Sequence, residues 1–181
     1  YNKYGFKDWE HLNSKAPMIK IQHPEFEMYS NGSTHFNAGV ACADCHMPYT
    51  RDGAVKFTSH NVSSPLLRPE KACATCHTDV KYVVGRVKII QDSVNETLLN
   101  TEKAITEAIA AMKIAGENPA HDPAKLEEAR QLHRAAQIRW DFVAAENSMG
   151  FHNPEEALRI LATSIDLARQ AQITAMEAMG K

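Results

Sequence analysis

All four cysteines of this 181-residue chain lie in two copies of one short pattern. The pattern reads C-A-D-C-H at residues 42–46 and C-A-T-C-H at residues 73–77. Two thiols separated by two residues can each add to one vinyl group of a haem, and the histidine that follows can bind the iron. The repeated pattern therefore predicts two covalently attached haems. The predicted attachment residues are Cys42, Cys45, His46, Cys73, Cys76 and His77.

The alternatives for a repeated C-x-x-C pattern are a zinc site and a redox-active dithiol. Zinc sites use paired C-x-x-C motifs to supply four thiolates. Here a histidine follows each pair directly, and the sequence lacks the glycines of a zinc knuckle after the cysteines. A redox dithiol needs one such pair, so two copies in one chain would be unusual. Haem attachment is therefore the favoured interpretation.

The other histidines decide what kind of haem site the chain could build. A haem that only transfers electrons needs a second axial ligand, usually histidine, whereas a catalytic haem keeps that position open. The remaining candidates for this second position are His11, His23, His35, His60, His121, His133 and His152.

Three of these candidates lie where a loop could carry them to an iron. His35 and His60 lie on predicted loops close to the attachment pattern, and His152 lies in a tight corner between two predicted helices. His121 and His133 lie on or just before a polar helix, where packing or surface roles are favoured. For the three loop histidines, an ordinary loop position stays open as the alternative.

The composition and pattern of the sequence change near residue 78, from a half that is predicted to be rich in loops to a half that is predicted to be helical. Apolar residues recur every three or four positions over about residues 79–115, and again after Asp122-Pro123 and Asn153-Pro154. Each of these dipeptides is typical of a helix N-cap followed by a first-turn proline. The sequence thus predicts a mainly α fold, with a haem-binding and active-site region at 1–78 and long helices at 79–181.

The first predicted helix is long for a compact domain, and its apolar stripe needs a partner along its length. The second predicted helix, which ends near Gly150, could cover the stripe as an intramolecular hairpin. A second copy of the chain is the other candidate. The stripe, which includes Val94 and Leu98, is longer than one helix of about 25 residues can cover. We therefore expect a homodimer interface there, with the hairpin as the alternative.

The charge balance excludes one class of partner. The chain has 20 Lys and Arg residues against 22 Asp and Glu residues, which gives a net charge of −2. A nucleic-acid-binding domain is expected to carry a strongly basic surface. The composition therefore predicts that the chain has no nucleic-acid partner.

Several segments of the chain resemble the C-terminal part of the ammonia-forming cytochrome c nitrite reductases, a family of pentahaem enzymes. The resemblance covers nearly the whole chain, and its motifs are specific in both identity and spacing. The matching segments are GFKDW at residues 5–9, KAPMIKIQHPE at 15–25, the attachment patterns with the Met-Pro after the first, RWD at 139–141 and HNPEEALR at 152–159.

The resemblance implies which haems the chain would bind. The pattern at residues 42–46 corresponds to the attachment site of the fourth haem, and the pattern at 73–77 to that of the fifth. His152 corresponds to the distal ligand of the fourth haem and His35 to that of the fifth. His60 corresponds to the distal ligand of the second haem, whose attachment motif is not in this chain.

The resemblance also implies part of an active site. His23 corresponds to the catalytic histidine above the open face of the family's first haem. Lys20 and Gln22 correspond to residues that bind a structural calcium ion, the lysine through its backbone carbonyl and the glutamine through its amide oxygen. The substrate implied is nitrite, and the reaction is its six-electron reduction to ammonium.

The departures from the family pattern matter as much as the matches. The catalytic haem of the family is attached through C-x-x-C-K, which does not occur here, and two further C-x-x-C-H motifs and an active-site arginine and tyrosine are also missing. We therefore expect a missing N-terminal part with three further haems, and no nitrite reduction by this chain alone. Family analogy adds a periplasmic location, and the expected electron donor is a membrane-anchored or soluble cytochrome. The alternatives are a non-enzymatic multihaem electron-transfer cytochrome and a fragment of an octahaem nitrite reductase.

Overall fold

The computed structural model describes residues 2–180, so the outermost residues of the two predicted halves, Tyr1 and Lys181, lie outside the described residues. Helices account for 59% and strands for 7%, which confirms the predicted mainly α fold with long C-terminal helices. The elements in chain order are β1 (Trp9–Glu10), β2 (Pro17–Met18), α1 (Glu25–Ser30), α2 (Thr34–Asn37), α3 (Cys42–His46), β3 (Tyr49–Asp52), β4 (Val55–Thr58), α4 (Pro69–Ala72), α5 (Val80–Glu117), α6 (Pro123–Ala144) and α7 (Pro154–Glu177).

The first half of the chain consists of short elements joined by loops. β1 pairs antiparallel with β2, with Trp9 opposite Met18, and β3 pairs antiparallel with β4, with Tyr49 opposite Thr58. Two-stranded ribbons and single helical turns bury little apolar surface by themselves. This half therefore depends on contacts with the long helices. Within the described residues, its buried apolar side chains are Ala16, Met18, Ile19, Pro24, Met28, Pro48 and Ala72.

The three long helices begin at the capping residues that the sequence indicates. The Asp79 carboxylate accepts a hydrogen bond at the start of α5, the Asp122 carboxylate accepts two at the start of α6, and the Asn153 amide oxygen accepts one at the start of α7. Such caps satisfy backbone N–H groups that have no partner inside the helix. The second and third helices then continue with Pro123 and Pro154 in their first turns.

The end of α6 differs from the sequence-based expectation. The helix ends at Ala144 rather than near Gly150. The carboxylate of Glu146 accepts hydrogen bonds from the backbone N–H groups of Ser148 and Gly150, both at 3.0 Å. These bonds replace helical ones and fold residues 145–153 into a corner, in which Gly150 has a φ of 78°. A local carboxylate, which helical periodicity does not reveal, therefore ends the helix.

The long helices pack against one another, and small side chains let them approach closely. Ala104, Ala136 and Ala168 are fully buried where α5, α6 and α7 meet. Val94 and Leu98 of α5 belong to a second buried cluster shared with the same two helices. The apolar stripe of α5 is thus covered within the subunit by two helices rather than one. The length of the stripe does not require a second copy of the chain, and the homodimer stays a prediction.

The N-terminal segment is held against α6 by side chains of that helix. The Arg134 guanidinium donates to the backbone carbonyls of Phe6 at 2.5 Å and Pro17 at 2.6 Å, and Arg130 donates to that of Ser14 at 2.9 Å. Each bond to a charged donor holds the backbone more firmly than a neutral bond does. The loop that follows β2 is thereby fixed relative to the helical half.

Within residues 2–180, no helix is both long enough and apolar enough to span a membrane.

Candidate haem-binding and active site

Each attachment motif lies on a single helical turn. The first is α3, whose first turn is closed by a hydrogen bond from the backbone N–H of Ala41 to the carboxylate of Asp44 at 2.7 Å. The second follows α4 directly, and the backbone N–H of His77 donates to the carbonyl of Cys73 at 2.9 Å. A helical turn brings both thiols and the histidine of a C-x-x-C-H motif to the same side of the chain. None of the four cysteines forms a disulfide, so all four remain candidates for thioether bonds.

The two motifs lie next to one another. Burial raises the pKa of the Cys45 thiol, and the negative charge of a neighbouring Cys73 thiolate raises it further. Burial also raises the pKa of Cys73, with a second contribution from Glu70. Because Cys45 and Cys73 are close enough to influence one another electrostatically, the two predicted haems would be attached side by side.

The structure brings four of the predicted haem ligands together in two facing pairs. The imidazole centroids of His46 and His152 are 6.2 Å apart, and those of His35 and His77 are 6.3 Å apart. Two imidazole nitrogens that bind one metal from opposite sides lie about 2.0 Å from it, which places the ring centroids roughly 6.2 Å apart. The pairs therefore have the separation of two imidazoles on opposite faces of one haem, so the residues present fit the group.

In His46 and His152, Nδ1 lies close to an oxygen atom of a neighbouring residue. Nδ1 of His46 lies 3.0 Å from the backbone carbonyl oxygen of Ser63. Nδ1 of His152 lies 2.5 Å from Oε1 of the Glu146 carboxylate. Metal-binding histidines commonly hold Nδ1 against a carbonyl or carboxylate and use Nε2 for the metal. Both contacts leave Nε2 for an iron.

His35 has the protonation state that a metal ligand needs. Desolvation lowers its pKa, and the neighbouring His77 lowers it further. The ring packs against Phe151, with centroids 5.9 Å apart, in the corner between α6 and α7. Neutral imidazole is the form that binds metals, so burial here favours ligation.

Glu146 is a residue that the sequence-based reasoning missed. Its carboxylate is fully buried and accepts hydrogen bonds from Ser148 Oγ at 2.8 Å and from the backbone N–H groups of Ser148 and Gly150. Burial alone would raise its pKa, but the interactions with His152 and Ser148 outweigh burial and lower the pKa. The available sequence signal was an acidic residue within a corner that also contains a candidate ligand.

The loop that carries His23 is held by a buried carboxylate of α6. Asp141 contacts Lys20 Nζ with one oxygen and accepts a hydrogen bond from the backbone N–H of Ile21 at 2.6 Å with the other. His23 then adopts a φ of 52°, in the left-handed region that side chains disfavour, and its side chain is 81% exposed. Nδ1 of His23 lies 3.6 Å from the carboxylate of Glu25.

The remaining predicted site residues lie apart from the two imidazole pairs. Lys20 and Gln22 are exposed on the same loop as His23, and the backbone N–H of Lys20 donates to Asp8 at 2.8 Å. His60 is exposed after β4 and, among residues 2–180, makes no ring contact with another histidine. The structure therefore separates the predicted residues into two facing pairs and a set of exposed loop residues.

Two other histidines, His133 and His121, make contacts that are typical of packing residues. The His133 ring is buried against His11, with centroids 5.5 Å apart, and its Nδ1 lies 3.0 Å from Ser14 Oγ. His121 Nδ1 lies 2.6 Å from the backbone carbonyl of Asn118 in the loop before α6. These contacts agree with the packing roles that the sequence favoured for His121 and His133.

The long helices, the two C-x-x-C-H turns and the facing imidazoles define the class of this protein as a multihaem cytochrome c. The chain belongs to the cytochrome c552 family, whose model matches residues 1–181. Membership of a cytochrome c family implies haem c as the cofactor. Family membership therefore favours haem attachment by the two C-x-x-C-H motifs over the zinc site and the redox dithiol.

Relatives in this family support the resemblance to nitrite reductases. The chain is 45% identical to the cytochrome c nitrite reductase subunit NrfA of Nitratidesulfovibrio vulgaris, over 98% of this chain and 37% of that protein. It is 38% identical to the cytochrome c-552 of Aliarcobacter butzleri, over 100% of this chain and 36% of that protein. The chain thus spans a little over a third of the length of these relatives.

Solved structures support the fold. A cytochrome c nitrite reductase from Desulfovibrio desulfuricans, whose catalytic subunit NrfA has two calcium sites, matches with a TM-score of 0.92 at 41% identity. The match covers 97% of this chain and 38% of that one. The outer cell wall cytochrome OcwA matches with a TM-score of 0.62 at 22% identity over 87% of this chain and 31% of that one, a likeness of fold alone.

Proposed function

We propose that this chain is the part of a periplasmic, ammonia-forming cytochrome c nitrite reductase that binds two of its five haems and supplies an active-site histidine. The observation that carries the proposal is the presence of two facing imidazole pairs, at 6.2 and 6.3 Å, each including the histidine of one attachment motif. The name and likeness of NrfA from Nitratidesulfovibrio vulgaris support nitrite as the substrate.

The proposed haem ligands follow from these pairs. His46 and His152 would hold the haem attached at Cys42 and Cys45, and His77 and His35 would hold the haem attached at Cys73 and Cys76. When bound, each haem stores and passes on one electron. Two protein ligands leave no open position at either iron. The residues of this chain would therefore keep substrate away from these two haems and dedicate them to electron transfer.

His23 has the chemistry of the proposed proton donor. Reduction of nitrite to ammonium takes up six electrons and eight protons and releases two water molecules. An imidazole can donate a proton to a nitrite oxygen while the N–O bond breaks. Because Nδ1 of His23 lies near Glu25, we assign the donating role to Nε2.

The left-handed backbone conformation of His23 supports a functional role for this residue. This conformation costs about 1–2 kcal/mol for a residue with a side chain. The contacts of Asp141 with the preceding loop offset this conformational cost, as does the packing of the N-terminal segment against α6. Backbone strain that the surroundings hold in place is concentrated at functional sites in proteins.

A calcium ion is proposed beside this loop. The backbone carbonyl of Lys20 and the amide oxygen of Gln22 are oxygen donors, and calcium binds proteins through oxygen atoms. The calcium sites of the Desulfovibrio desulfuricans enzyme support this assignment. A bound calcium would add positive charge near the anionic substrate and order the loop that carries His23.

Other parts of the proposed enzyme lie outside this chain. They comprise three further haems, one of which binds nitrite at an open position and one of which takes His60 as its distal ligand. A membrane-anchored or soluble cytochrome would supply the electrons, and two copies would form a homodimer. This chain by itself would be inactive, because it lacks the haem at which nitrite binds.

Two other functions are compatible with the two facing imidazole pairs. The two facing pairs alone would also serve a non-enzymatic electron-transfer cytochrome. The exposed His23 on its strained loop argues against that alternative, because an electron carrier does not need a proton donor in a held position. An octahaem nitrite reductase would use the same residues but contain more attachment motifs.

The proposed function can be tested on the complete natural polypeptide that contains this chain. Its mass should show five covalent haems, and the protein supplied with a reduced viologen dye should convert nitrite to ammonium. Eight haems would favour the octahaem enzyme. A fully haem-loaded protein that is reduced by the dye but forms no ammonium would favour the electron carrier.

A further inference from the structure

The corner between α6 and α7 places a carboxylate directly on a proposed haem ligand. Oε1 of Glu146 lies 2.5 Å from Nδ1 of His152, and the Glu146 side chain is fully buried. Of the four proposed axial histidines, His152 is the one that contacts a carboxylate within the described part of the chain, residues 2–180. The two haem sites are therefore electrostatically unequal.

The carboxylate is held in place and kept ionised by its other contacts. Three hydrogen bonds reach it, from the Ser148 hydroxyl at 2.8 Å and from the backbone N–H groups of Ser148 and Gly150 at 3.0 Å. The Ser148 hydroxyl oxygen in turn accepts from the backbone N–H of His152 at 2.8 Å. Glu146, Ser148 and His152 thus form one connected network, which fixes the charge relative to the ligand ring.

We propose that Glu146 is a positioning residue that lowers the reduction potential of the haem bound by His46 and His152, relative to the haem bound by His35 and His77. This inference rests on the proposed haem ligation by His152. A negative charge held beside a ligand ring stabilises the ferric state of the iron, which carries one more positive charge than the ferrous state. Reduction adds one electron to the iron, and the fixed negative charge opposes that addition.

The consequence is a shift in the distribution of an electron between the two haems. A fixed negative charge beside one of two adjacent haems disfavours an electron there. The Glu146 carboxylate would therefore shift a shared electron towards the haem of the His35 and His77 pair. The network therefore gives Glu146 a role in electron distribution that a purely structural corner residue would not have.

The experiment is a spectroelectrochemical titration of the complete haem-loaded protein carrying Glu146→Gln. At the wild-type midpoint of the His46 and His152 haem, the ratio of oxidised to reduced iron should fall about tenfold, which corresponds to 59 mV for one electron. Glu155→Gln is the matched control, since Glu155 is an exposed carboxylate at the start of α7. Its substitution removes the same charge without touching the ligand and should leave the midpoint unchanged.

Two further variants separate the possible outcomes. Glu146→Asp keeps the charge and should stay close to the wild-type midpoint, which distinguishes charge from packing if Glu146→Gln loads haem poorly. A midpoint that is the same with Gln, Asp and Glu at this position would overturn the proposal. His152→Ala should make one haem high-spin. If His152→Ala leaves every haem low-spin, the proposed ligation itself is wrong, which is a different failure from an inert Glu146.

Discussion

At the scale of single residues, the neighbours of each histidine distinguish its role. His152 has a carboxylate on Nδ1 and His46 has a backbone carbonyl there, which leaves Nε2 of both for a metal. His23 is exposed on a strained loop and lies outside both pairs. His133 is buried without any of these features and contacts Ser14 and His11. In the proposed function, the same side chain would therefore be a haem ligand, a proton donor or a packing residue, depending on its neighbours.

Burial of His133 predicts a loss of stability in mild acid. Desolvation, with a smaller contribution from His11, lowers the pKa of His133 from 6.5 to about 4. The neutral ring fits the folded state, so its stabilising effect is complete above pH 6.5 and is lost as the pH falls towards 4. The full loss is about 3 kcal/mol. The fall in stability over this range can be measured by hydrogen exchange of the α6 amides in the complete protein at pH 7, 5.5 and 4.5.

The matched variant for this prediction is His133→Gln, which cannot become charged. Its opening free energy should depend less on pH than that of the wild type over the same range. His11, whose pKa is also lowered by burial, retains part of the dependence in both proteins. If the wild type and the variant lose stability in parallel, the buried His133 ring does not cause the acid sensitivity.

At the scale of elements, the α6–α7 corner and the docked N-terminal segment position the site. The corner carries His152 and packs Phe151 against His35, so it reaches both facing pairs. In the C-terminal half of α6, Asp141 and Arg134 fix the segment that leads to His23. The end of this helix that leads into the corner therefore supports both the proposed haem ligands and the proposed proton donor.

Gly150 provides a direct probe of the corner. Its φ is 78°, and a Cβ there would lie 2.7 Å from a side-chain carbon of Val94. Gly150→Ala therefore combines an unfavourable backbone conformation with a clash against the core of α5. We expect a loss of roughly 2–4 kcal/mol in the free energy of unfolding. Thermal unfolding of the complete protein, followed by circular dichroism, measures the change.

Gly32→Ala serves as the control for backbone strain alone. Gly32 has nearly the same φ, 79°, but no atom lies within 4 Å of the position of a Cβ. Its substitution should cost only about 1–2 kcal/mol. Equal losses at the two positions would mean that the corner yields to the added methyl group without disturbing Val94.

At the scale of the whole molecule, the sequence predicted the regular parts better than the site. Helical periodicity and the Asp-Pro and Asn-Pro caps indicate the long helices, because these signals are local. The spacing of the attachment motifs indicates haem for the same reason. The contact between Glu146 and His152 could not be predicted, because it depends on how the chain folds into a corner between α6 and α7. The sequence also could not predict which element packs on the apolar stripe of α5. Helical periodicity identifies an apolar face but does not identify the residues that cover it.

The structure changes how the proposed homodimer should be tested. Val94 and Leu98 are buried inside the subunit, so charged residues there would disrupt the fold before any interface. Ile89 is 53% exposed on α5 and can contact a partner. Ile89→Asp should increase dissociation into monomers at least tenfold, as expected for a buried apolar anchor. Light scattering of the complete protein over a dilution series measures it.

The matched control for the dimer is Ile173→Asp on α7. Ile173 is 56% exposed, so the substitution is equivalent in chemistry and exposure but lies on another helix. It should leave the association state unchanged. An equal effect of both substitutions would point to general destabilisation, and no effect of either would remove Ile89 from the interface.

The role of His23 is tested most directly by the spectrum and the nitrite turnover of His23→Ala in the complete enzyme. All haems should keep their spin states, because His23 ligates none of them in the proposed function, while kcat for ammonium formation should fall roughly 10²–10⁴-fold. His35→Ala is the contrasting control and should convert one low-spin haem to high-spin. A low-spin haem that becomes high-spin in His23→Ala would make His23 an iron ligand. That result would exclude His23 as the proton donor and favour the electron-transfer cytochrome.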